Sequence, residues 1–268
     1  MIIIGEKING AIPSIRQAIA ERNEVLIIER TLAQAASGAD YLDCAPSTAT
    51  QIEYETMLWL IGLMQGCTDV PLCIDSPDAS VCVACMPFCK KPGMVNSVSM
   101  EGNKCDIILP AIAGTEWKVV ALTCDDDGIP DDPKVKYEIA KRIMAKVDEY
   151  GVDHDNILFD PLVTTLGTNQ QSFLNFIEAV ELIKADYPDV HFTSGLSNIS
   201  YGLPYRKAIN MQFLSLAMAK GMDSAIMDPT SRDMLAAMYA TDALLGNDNY
   251  CKDYLKGFRN NLFGPKKD

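Results

Sequence analysis

Long hydrophobic runs are absent from this sequence. No apolar stretch among the 268 residues approaches the roughly 20 residues that a membrane-spanning helix needs. The first residues, MIIIGEKING, lack the basic segment and the long apolar segment of a secretory signal peptide. We therefore expect a cytoplasmic protein that makes no contact with a membrane.

Positive charge is also scarce. The chain has 23 lysine and arginine residues against 36 aspartate and glutamate residues, which gives a formal net charge of −13. A surface with this charge repels the phosphate backbone of nucleic acids, because binding there requires clustered cations. We therefore expect no nucleic-acid partner.

The spacing of a disulfide scaffold is missing, although the chain has nine cysteines. Their odd number predicts reduced thiols in a cytosol. Cys82, Cys85 and Cys89 are spaced i, i+3 and i+7, which would place them on one helix face. They would form either a metal site or part of the core. We favour the core, because free cysteine is commonly buried and no fourth ligand lies nearby in the sequence.

The sequence does contain a regular alternation of short apolar runs and longer amphipathic segments. The apolar runs are nearly continuous in hydrophobicity, as expected of parallel strands that are buried on both faces. No linker or low-complexity segment interrupts the alternation. The predicted strands cover residues 2–5, 41–45, 71–76, 93–98, 118–124, 157–162, 191–197 and 225–229.

The segments between the strands carry helix signals. Asp132 followed by Pro133 is typical of an N-cap and a first helical residue, and Gly151 is typical of a helix end. Similar helices are predicted over residues 170–186 and 231–245. In the helix that starts at Pro133, the residues predicted to form the buried stripe are Val135, Ile139, Ile143 and Val147.

Eight strand–helix units in about 250 residues match the (β/α)8 barrel in number and length. The competing fold is a doubly wound open sheet, which usually has a glycine-rich GxGxxG turn after an early strand. The segment GEKING after the first strand lacks this spacing. We therefore predict an α/β protein, a TIM barrel that forms a single domain over residues 1–268.

In such a barrel the active site lies at the C-terminal ends of the strands. Acids and amides dominate these predicted ends, no lysine or histidine stands there for Schiff-base or general-base chemistry, and Arg206 is the nearest cation. The polar residues predicted at the strand ends are Glu6, Asn9, Asp43, Asp75, Asn96, Thr123, Asp160, Ser197, Asn198 and Asp228.

Three kinds of ligand are compatible with these side chains. A phosphorylated substrate would prefer a cationic or glycine-rich cradle, which the surrounding acids oppose. A neutral heterocycle with several N–H donors, such as a pterin, would pair with carboxylates that accept two hydrogen bonds and with amides that both donate and accept. Mg²⁺ is the third alternative, since converging carboxylates bind it. Its ligands would be Asp43, Asp75, Asp160 and Asp228.

Six short motifs then occur in order along the chain. Together they resemble the methyltetrahydrofolate:corrinoid methyltransferases, pterin-binding barrels that include the corrinoid/iron–sulfur protein methyltransferase of acetogens and the folate module of cobalamin-dependent methionine synthase. Each motif alone is weakly specific, but the set extends over residues 1–255. The motifs are IIIGEKIN (2–9), CIDS (73–76), MVNS (94–97), DPL (160–162), GLSNIS (195–200) and GMDSAI (221–226).

The resemblance implies a homodimer with a site for tetrahydrofolate or 5-methyltetrahydrofolate, no metal of its own, and cobalamin carried by a separate corrinoid protein. Within CIDS, MVNS and DPL it implies pterin contacts from Asp75, Asn96 and Asp160. Within GLSN it implies that Asn198 lies beside N5 as the catalytic residue, with Gly195 and Ser197 lining the pterin. Further candidates at the mouth are Glu6, Asn9, Asp43, Tyr201, Arg206 and Asp228.

Some of these residues also have a purely structural interpretation. An acid at a strand end can cap the next helix or bind loop amides, and Glu6 would be a partner of Arg206 or Lys7. Tyr201 departs from the family pattern, which often has an amide side chain three residues after the asparagine. A tyrosine there would donate a hydrogen bond, stack on a ring system or narrow the mouth.

The implied reaction moves a methyl group between cobalt and N5. The cofactors then supply the reactive atoms, and the protein binds, orients and stabilises charge. We favour transfer from methylcobalamin to tetrahydrofolate in anaerobic demethylation. The alternatives are transfer from methyltetrahydrofolate to a corrinoid protein as in acetogenesis, a dihydropteroate synthase, and a non-catalytic folate-binding protein.

Overall fold

The strands form a closed parallel barrel in a computed structural model that describes residues 1–265. Along the sheet the order is β7–β6–β5–β4–β3–β2–β1–β8, which is the chain order of a TIM barrel and confirms the predicted fold. The strands are β1 (Ile2–Gly5), β2 (Tyr41–Cys44), β3 (Leu72–Asp75), β4 (Met94–Met100), β5 (Lys118–Asp125), β6 (Ile157–Asp160), β7 (His191–Phe192) and β8 (Ser224–Met227).

The barrel closes through residues that follow the short strand β7. The Ile226 N–H donates to the Ser194 carbonyl at 3.0 Å, and the Leu196 N–H donates to the Ile226 carbonyl at 3.2 Å. Strand β7 is shorter than the predicted 191–197, because the polar, glycine-containing segment after Phe192 continues only as an isolated bridge between Gly195 and Ile226.

Helices cover the outside of the barrel between successive strands. The helix expected over 170–186 begins at Ser172, and the one expected over 231–245 has Ser231 and Leu245 as its flanking cap residues. The helices are α1 (Pro13–Ala20), α2 (Glu24–Ala36), α3 (Thr50–Cys67), α4 (Ala79–Cys85), α5 (Lys104–Ile112), α6 (Pro133–Tyr150), α7 (Ser172–Asp186), α8 (Arg206–Met218), α9 (Arg232–Leu244) and α10 (Lys252–Arg259).

Helix α6 begins and ends as predicted, but its buried stripe differs at the first turn. The Asp132 carboxylate accepts from the Lys134 N–H, and Gly151 adopts the left-handed conformation with φ 68°. Val135 is 46% exposed, so its predicted burial is wrong. A repeat of four residues drifts by about 40° per step on a helix of 3.6 residues per turn, and three steps separate Val135 from Val147. Lys136 occupies the inward position instead.

Two apolar cores lie on the two sides of the barrel wall. The larger one packs the helices on the outer face of the strands. The smaller one fills the barrel interior with Ile4, Cys73, Met94, Val120 and Leu158, which come from five different strands. Because side chains alternate between the two faces of a strand, the residues two positions beyond these continue up the interior. Strand geometry thus carries polar side chains to the mouth directly above an apolar floor.

The cysteines are all free thiols. Helix α4 ends at Cys85, and Cys89 follows a 3-10 turn over Met86–Phe88, so the prediction of one shared helix face is wrong for Cys89. Burial raises the pKa of Cys82 and of Cys85 to about 12, which disfavours the thiolate that a metal would need. Within residues 1–265, no group of three or more His, Cys, Asp or Glu side chains is arranged to hold a metal ion.

None of the helices in the described range is both long and apolar enough to cross a membrane.

Candidate active site

The acidic half of the barrel mouth is built on strands β1 to β4. Asp75 and Asn96 are direct partners across β3 and β4, so their side chains lie next to each other on the interior face. Asp43 lies one strand further along, and one of its carboxyl oxygens accepts from the Asn9 amide at 3.4 Å. Its other oxygen is buried and has no hydrogen-bond partner in the described part of the chain. The predicted residues Asn9, Asp43, Asp75 and Asn96 therefore lie together.

Burial changes the protonation of these acids. Desolvation and the neighbouring Glu53 raise the pKa of Asp75 to about 7. Desolvation and the charge of Asp75 raise the pKa of Asp43 well above its usual value. Desolvation also raises the pKa of Glu6 to about 7, against an opposing effect of Lys7. Near neutral pH this half of the mouth therefore contains protonated carboxyl groups that can donate hydrogen bonds.

Asp160, at the end of β6, is held by the turn that follows it. One carboxyl oxygen accepts from the Leu162 N–H at 2.8 Å, and the other accepts from the Gly195 N–H at 3.4 Å. Leu162 has a positive φ of 58°, and the Lys136 ammonium donates to its carbonyl at 2.7 Å. Burial raises the pKa of Asp160 to about 6, while the two backbone donors and Lys136 oppose that shift.

The loop after β7 presents Asn198 at the mouth. Its side chain is exposed and makes no hydrogen bond to another residue within 1–265. Gly195 lies beneath it, and a Cβ atom at that position would approach the Asn198 amide nitrogen to 3.1 Å. The loop is fixed by Arg206, which donates to the Ser197 carbonyl at 2.6 Å and to the Ser200 hydroxyl at 3.1 Å. A rigid loop thus holds an unengaged amide.

A cleft of about 300 Å³ adjoins this loop. Glu6, Ser197 and Arg206 line it, together with Lys7 and Asp228. The Lys7 ammonium is 2.8 Å from an Asp228 carboxyl oxygen, and the other Asp228 oxygen accepts from the Thr230 N–H at 2.9 Å. Asp228 therefore has structural partners, as expected if an acid at a strand end serves to bind loop amides.

Two exposed tyrosines stand on the rim beside the loop. Tyr201 follows the Asn198 turn, and Thr165 anchors its carbonyl at 2.6 Å. The guanidinium of Arg206 lies 5.9 Å from the centre of its ring. Tyr205 adopts a left-handed conformation with φ 48° just before α8. The tyrosine at position 201, noted above as a departure from the family pattern, therefore faces solvent at the mouth.

Sequence reasoning missed several residues of this end of the barrel. Lys136 lies there, and Lys7, expected only as an alternative partner of Glu6, pairs with Asp228, so the prediction that Arg206 is the nearest cation is incomplete. Glu53 is buried behind β3 and accepts from the Ser76 hydroxyl at 2.7 Å. Thr123, expected at the mouth, lies in phase with Val119 and therefore faces the helices. Of these residues, only Lys136 had a signal in the sequence, namely its position on the inward face of the predicted helix.

These features define a class of protein: a TIM barrel whose mouth combines protonated acids, one hydrogen-bonded carboxylate and a free amide. Such a mouth suits a flat ring that carries both N–H donors and acceptors.

The chain belongs to the pterin-binding enzyme family, whose sequence profile matches residues 15–228. It is 51% identical over 267 residues to the methylcorrinoid:tetrahydrofolate methyltransferase of Eubacterium limosum, covering 99% of this chain and 98% of that protein. It is 29% identical to the methionine synthase of Mycobacterium tuberculosis, over 84% of this chain but only 20% of that protein. The resemblance predicted from the motifs is confirmed.

Solved structures of dihydropteroate synthases share the fold. The enzyme of Xanthomonas albilineans in complex with 7,8-dihydropteroate has a TM-score of 0.65 at 20% identity, and covers 91% of this chain and 92% of that one. The enzyme of Yersinia pestis with a pterine–sulfa conjugate has a TM-score of 0.66 at 16% identity, with 91% and 94% coverage. At these identities the likeness establishes the barrel and not the reaction.

Proposed function

We propose that this protein is a methyltransferase that moves a methyl group between a methylcorrinoid, carried by a separate protein, and N5 of tetrahydrofolate. The observation that carries the proposal is the free Asn198 amide on a fixed loop beside paired pterin-type contacts. The near full-length relative from E. limosum bears the name of this activity. We further propose that the 268 residues act as one domain in an anaerobic cytoplasm.

Most of the mouth residues bind the pterin ring, and one side chain acts on the reacting nitrogen. Asp160 accepts hydrogen bonds from the amino edge of the pterin, while Asp75 and Asn96 contact the ring from the adjacent strands. The orphaned buried oxygen of Asp43 fits a ring donor as well. Gly195 and Ser197 leave room for the ring beneath Asn198, because a Cβ atom at Gly195 would crowd the amide.

The residues of this chain hold the ring and handle charge at N5. The methylcorrinoid supplies, when bound, an electrophilic methyl group whose carbon–cobalt bond breaks as the carbon–nitrogen bond forms, with the electron pair remaining on cobalt. The Asn198 oxygen accepts a hydrogen bond from the N5 proton, which is released to solvent once the carbon–nitrogen bond has formed. In the reverse direction N5 takes up a proton from solvent, and the Asn198 NH₂ group donates a hydrogen bond to N5. A hydrogen bond that strengthens as charge develops lowers the barrier.

The preferred direction is from the methylcorrinoid to tetrahydrofolate, as in anaerobic demethylation. Its support is the direction written in the name of the E. limosum relative. Transfer from methyltetrahydrofolate to a corrinoid protein is the reverse of the same step. A dihydropteroate synthase must also bind a pyrophosphate leaving group, and three lysines at this end of the barrel are already engaged, Lys7 by Asp228, Lys207 by Asp233 and Lys136 by the Leu162 carbonyl.

We also propose a homodimer that forms through the outer face of α7 and α8. Leu174 and Leu216 are 57% and 51% exposed there, and they flank an apolar groove of about 470 Å³ that includes Phe173 and Ile209. Exposed apolar patches of this kind mark association sites. Leu174→Glu with Leu216→Glu should convert dimer to monomer in light scattering, whereas Leu244→Glu, exposed on α9, should leave the dimer intact. A wild-type monomer would contradict this face.

The transfer is tested by mixing the protein with tetrahydrofolate and methylcobalamin and following the methylcobalt absorbance. Loss of that absorbance with formation of 5-methyltetrahydrofolate is the expected result. Binding of tetrahydrofolate without spectral change would indicate a carrier. Loss of activity with EDTA would indicate a metal enzyme, and condensation of a pterin pyrophosphate with p-aminobenzoate would indicate a dihydropteroate synthase.

A further inference from the structure

Two buried charges of opposite sign lie outside the barrel wall, Lys136 behind Asp160 and Glu53 behind Asp75. Lys136 on α6 and Glu53 on α3 are each only 3% exposed. Charged side chains are seldom buried to this degree unless a partner or a function requires it. Neither residue reaches the barrel interior, so neither is a candidate for direct contact with the ligand.

Lys136 acts on the Asp160 turn. Its ammonium donates to the Leu162 carbonyl at 2.7 Å, and the N–H of the same residue donates to the Asp160 carboxylate at 2.8 Å. One lysine thus fixes the strained left-handed residue that supports Asp160 and places a positive charge behind the carboxylate. A nearby cation favours the ionised form of a carboxyl group.

Glu53 acts on the end of β3. Its carboxylate accepts from the Ser76 hydroxyl at 2.7 Å, and that hydroxyl also accepts from the Asp78 N–H at 3.1 Å. The negative charge of Glu53 is therefore held in place next to Asp75, the residue before Ser76. A nearby anion favours the protonated form of a carboxyl group.

We propose that Lys136 and Glu53 are positioning residues that give the two aspartates opposite roles, with Asp160 ionised as an acceptor and Asp75 protonated as a donor. The inference deepens the proposed function, on which it rests for the identity of the ring. It explains how two buried aspartates in one mouth recognise a ring with donors on one edge and acceptors on another. Two identical carboxylates would repel each other and accept only.

The electrostatics of the described residues agree with this division. The charged and titratable groups that interact with Asp75 are Glu53, Asp43 and the thiols of Cys44, Cys73 and Cys82, with Glu6 beyond Asp43. For Asp160 the opposing charge is Lys136, which itself interacts with Asp131. Burial raises the pKa of both acids; Glu53 adds to the rise at Asp75, whereas two backbone donors and Lys136 oppose it at Asp160.

The test is the pH dependence of tetrahydrofolate binding, measured by calorimetry over about pH 5 to 9, which brackets both groups. Affinity should fall at acid pH as Asp160 is protonated and at alkaline pH as Asp75 ionises. We call these two declines the acid limb and the alkaline limb of the curve of affinity against pH. Glu53→Gln should move the alkaline limb to lower pH, and Lys136→Met should move the acid limb to higher pH. A limb that moves by about one pH unit changes the affinity measured along it about tenfold.

Matched controls are Glu55→Gln and Lys134→Met, which remove exposed charges from the same two helices. Both should leave the limbs in place, and Lys136→Arg should restore the acid limb. Limbs that stay fixed in Glu53→Gln and Lys136→Met, or that move in the same direction, would overturn the proposal.

A second measurement separates this inference from the proposed function. Carbon-13 NMR of labelled aspartates in the protein without ligand reports the two titrations directly, even if a variant fails to fold or if tetrahydrofolate does not bind. Asp160 titrating below Asp75 supports the assignment, and the reverse order contradicts it. Failure of the wild-type protein to bind tetrahydrofolate would remove the proposed function but leave the two ionisation states to be judged by NMR.

Discussion

Asp155 at the N-terminal end of the barrel and Asp75 at the mouth have carboxyl pKa values that are shifted in opposite directions. At the N-terminal end, the His191 ring lies between Asp223 at 2.6 Å and Asp155 at 3.1 Å, and the Lys118 ammonium is 3.0 Å from Asp155. Hydrogen bonds from Lys118 and His191 lower the pKa of Asp155. At the mouth, burial and the neighbouring Glu53 raise the pKa of Asp75. The same side chain is stabilised at one end and left under-satisfied at the other.

This difference separates stability from function along the barrel axis. Residues at the bottom of a TIM barrel generally serve the fold, whereas residues at the top serve the reaction. A buried acid without its own partners destabilises the folded chain and becomes useful only when a ligand supplies the missing hydrogen bonds. Substitutions at the two ends should therefore have opposite effects on stability and on activity.

The largest effect is expected for Asn198→Ala at the mouth. Loss of one hydrogen-bonding group that acts in the transition state lowers kcat by about 10²–10³-fold, with little change in tetrahydrofolate affinity. Stopped-flow measurement of methylcobalt loss at saturating tetrahydrofolate gives the rate, and calorimetry gives the affinity. The control at the other end is Asn156→Ala, whose amide bonds only the Thr115 carbonyl. Equal losses of rate and affinity in Asn198→Ala would show that the amide only holds the ring.

Asp75→Asn should stabilise the protein. The folded-state pKa of Asp75, about 7, exceeds its unfolded value of about 3.9, so wild-type stability falls as pH rises between these values. The neutral variant avoids that loss. After allowance for partial exposure it should gain roughly 2 kcal/mol at pH 8 and almost nothing at pH 4.

Urea unfolding at the two pH values checks this prediction. Asp155→Asn, at the opposite end, is the matched comparison, and it should lose stability at pH 8 because its lowered pKa reflects partners that favour the charged form. Destabilisation of Asp75→Asn at pH 8 would mean that the mouth carboxyls are structural, and the contrast between the two ends would fail.

Part of this contrast was readable from the sequence. Strand periodicity places Glu6 two residues after Ile4 and Asp160 two residues after Leu158, so the interior faces of the strands predict the polar mouth. The fold and the motif order required no more than alternation and spacing. The roles of the individual mouth residues remain predictions.

The remaining contacts depend on residues far apart in the chain. Lys136 meets Leu162 across 26 positions, and Glu53 meets Ser76 across 23. No local pattern encodes such pairs, because helix phase and loop conformation decide them together. Lysine is usually exposed, and the predicted buried stripe began at Val135. The burial of Lys136 was therefore not predicted.

A smaller effect is expected for His191→Gln at the N-terminal end. Hydrogen bonds to Asp223 raise the pKa of His191 in the folded protein, so the stabilisation is complete below the unfolded pKa of about 6.5 and is lost as pH rises through the folded value. The variant should be about 1 kcal/mol less stable than the wild type at pH 5.5. The difference should shrink at alkaline pH, while the transfer rate stays unchanged. A stability difference that grows with pH would contradict the assigned charge.

The smallest effect decides whether position or burial causes the contrast. Asp125 ends β5 on the mouth side, but Arg142 donates to its carboxylate at 2.6 Å in a largely solvated pair, and this contact lowers its pKa. Arg142→Met should change the free energy of unfolding by roughly 0.5 kcal/mol or less and leave transfer unaffected. If it instead altered transfer as strongly as the buried acids do, the location of a carboxylate at the mouth would matter by itself. A small effect assigns the raised pKa values of the mouth to burial rather than to location.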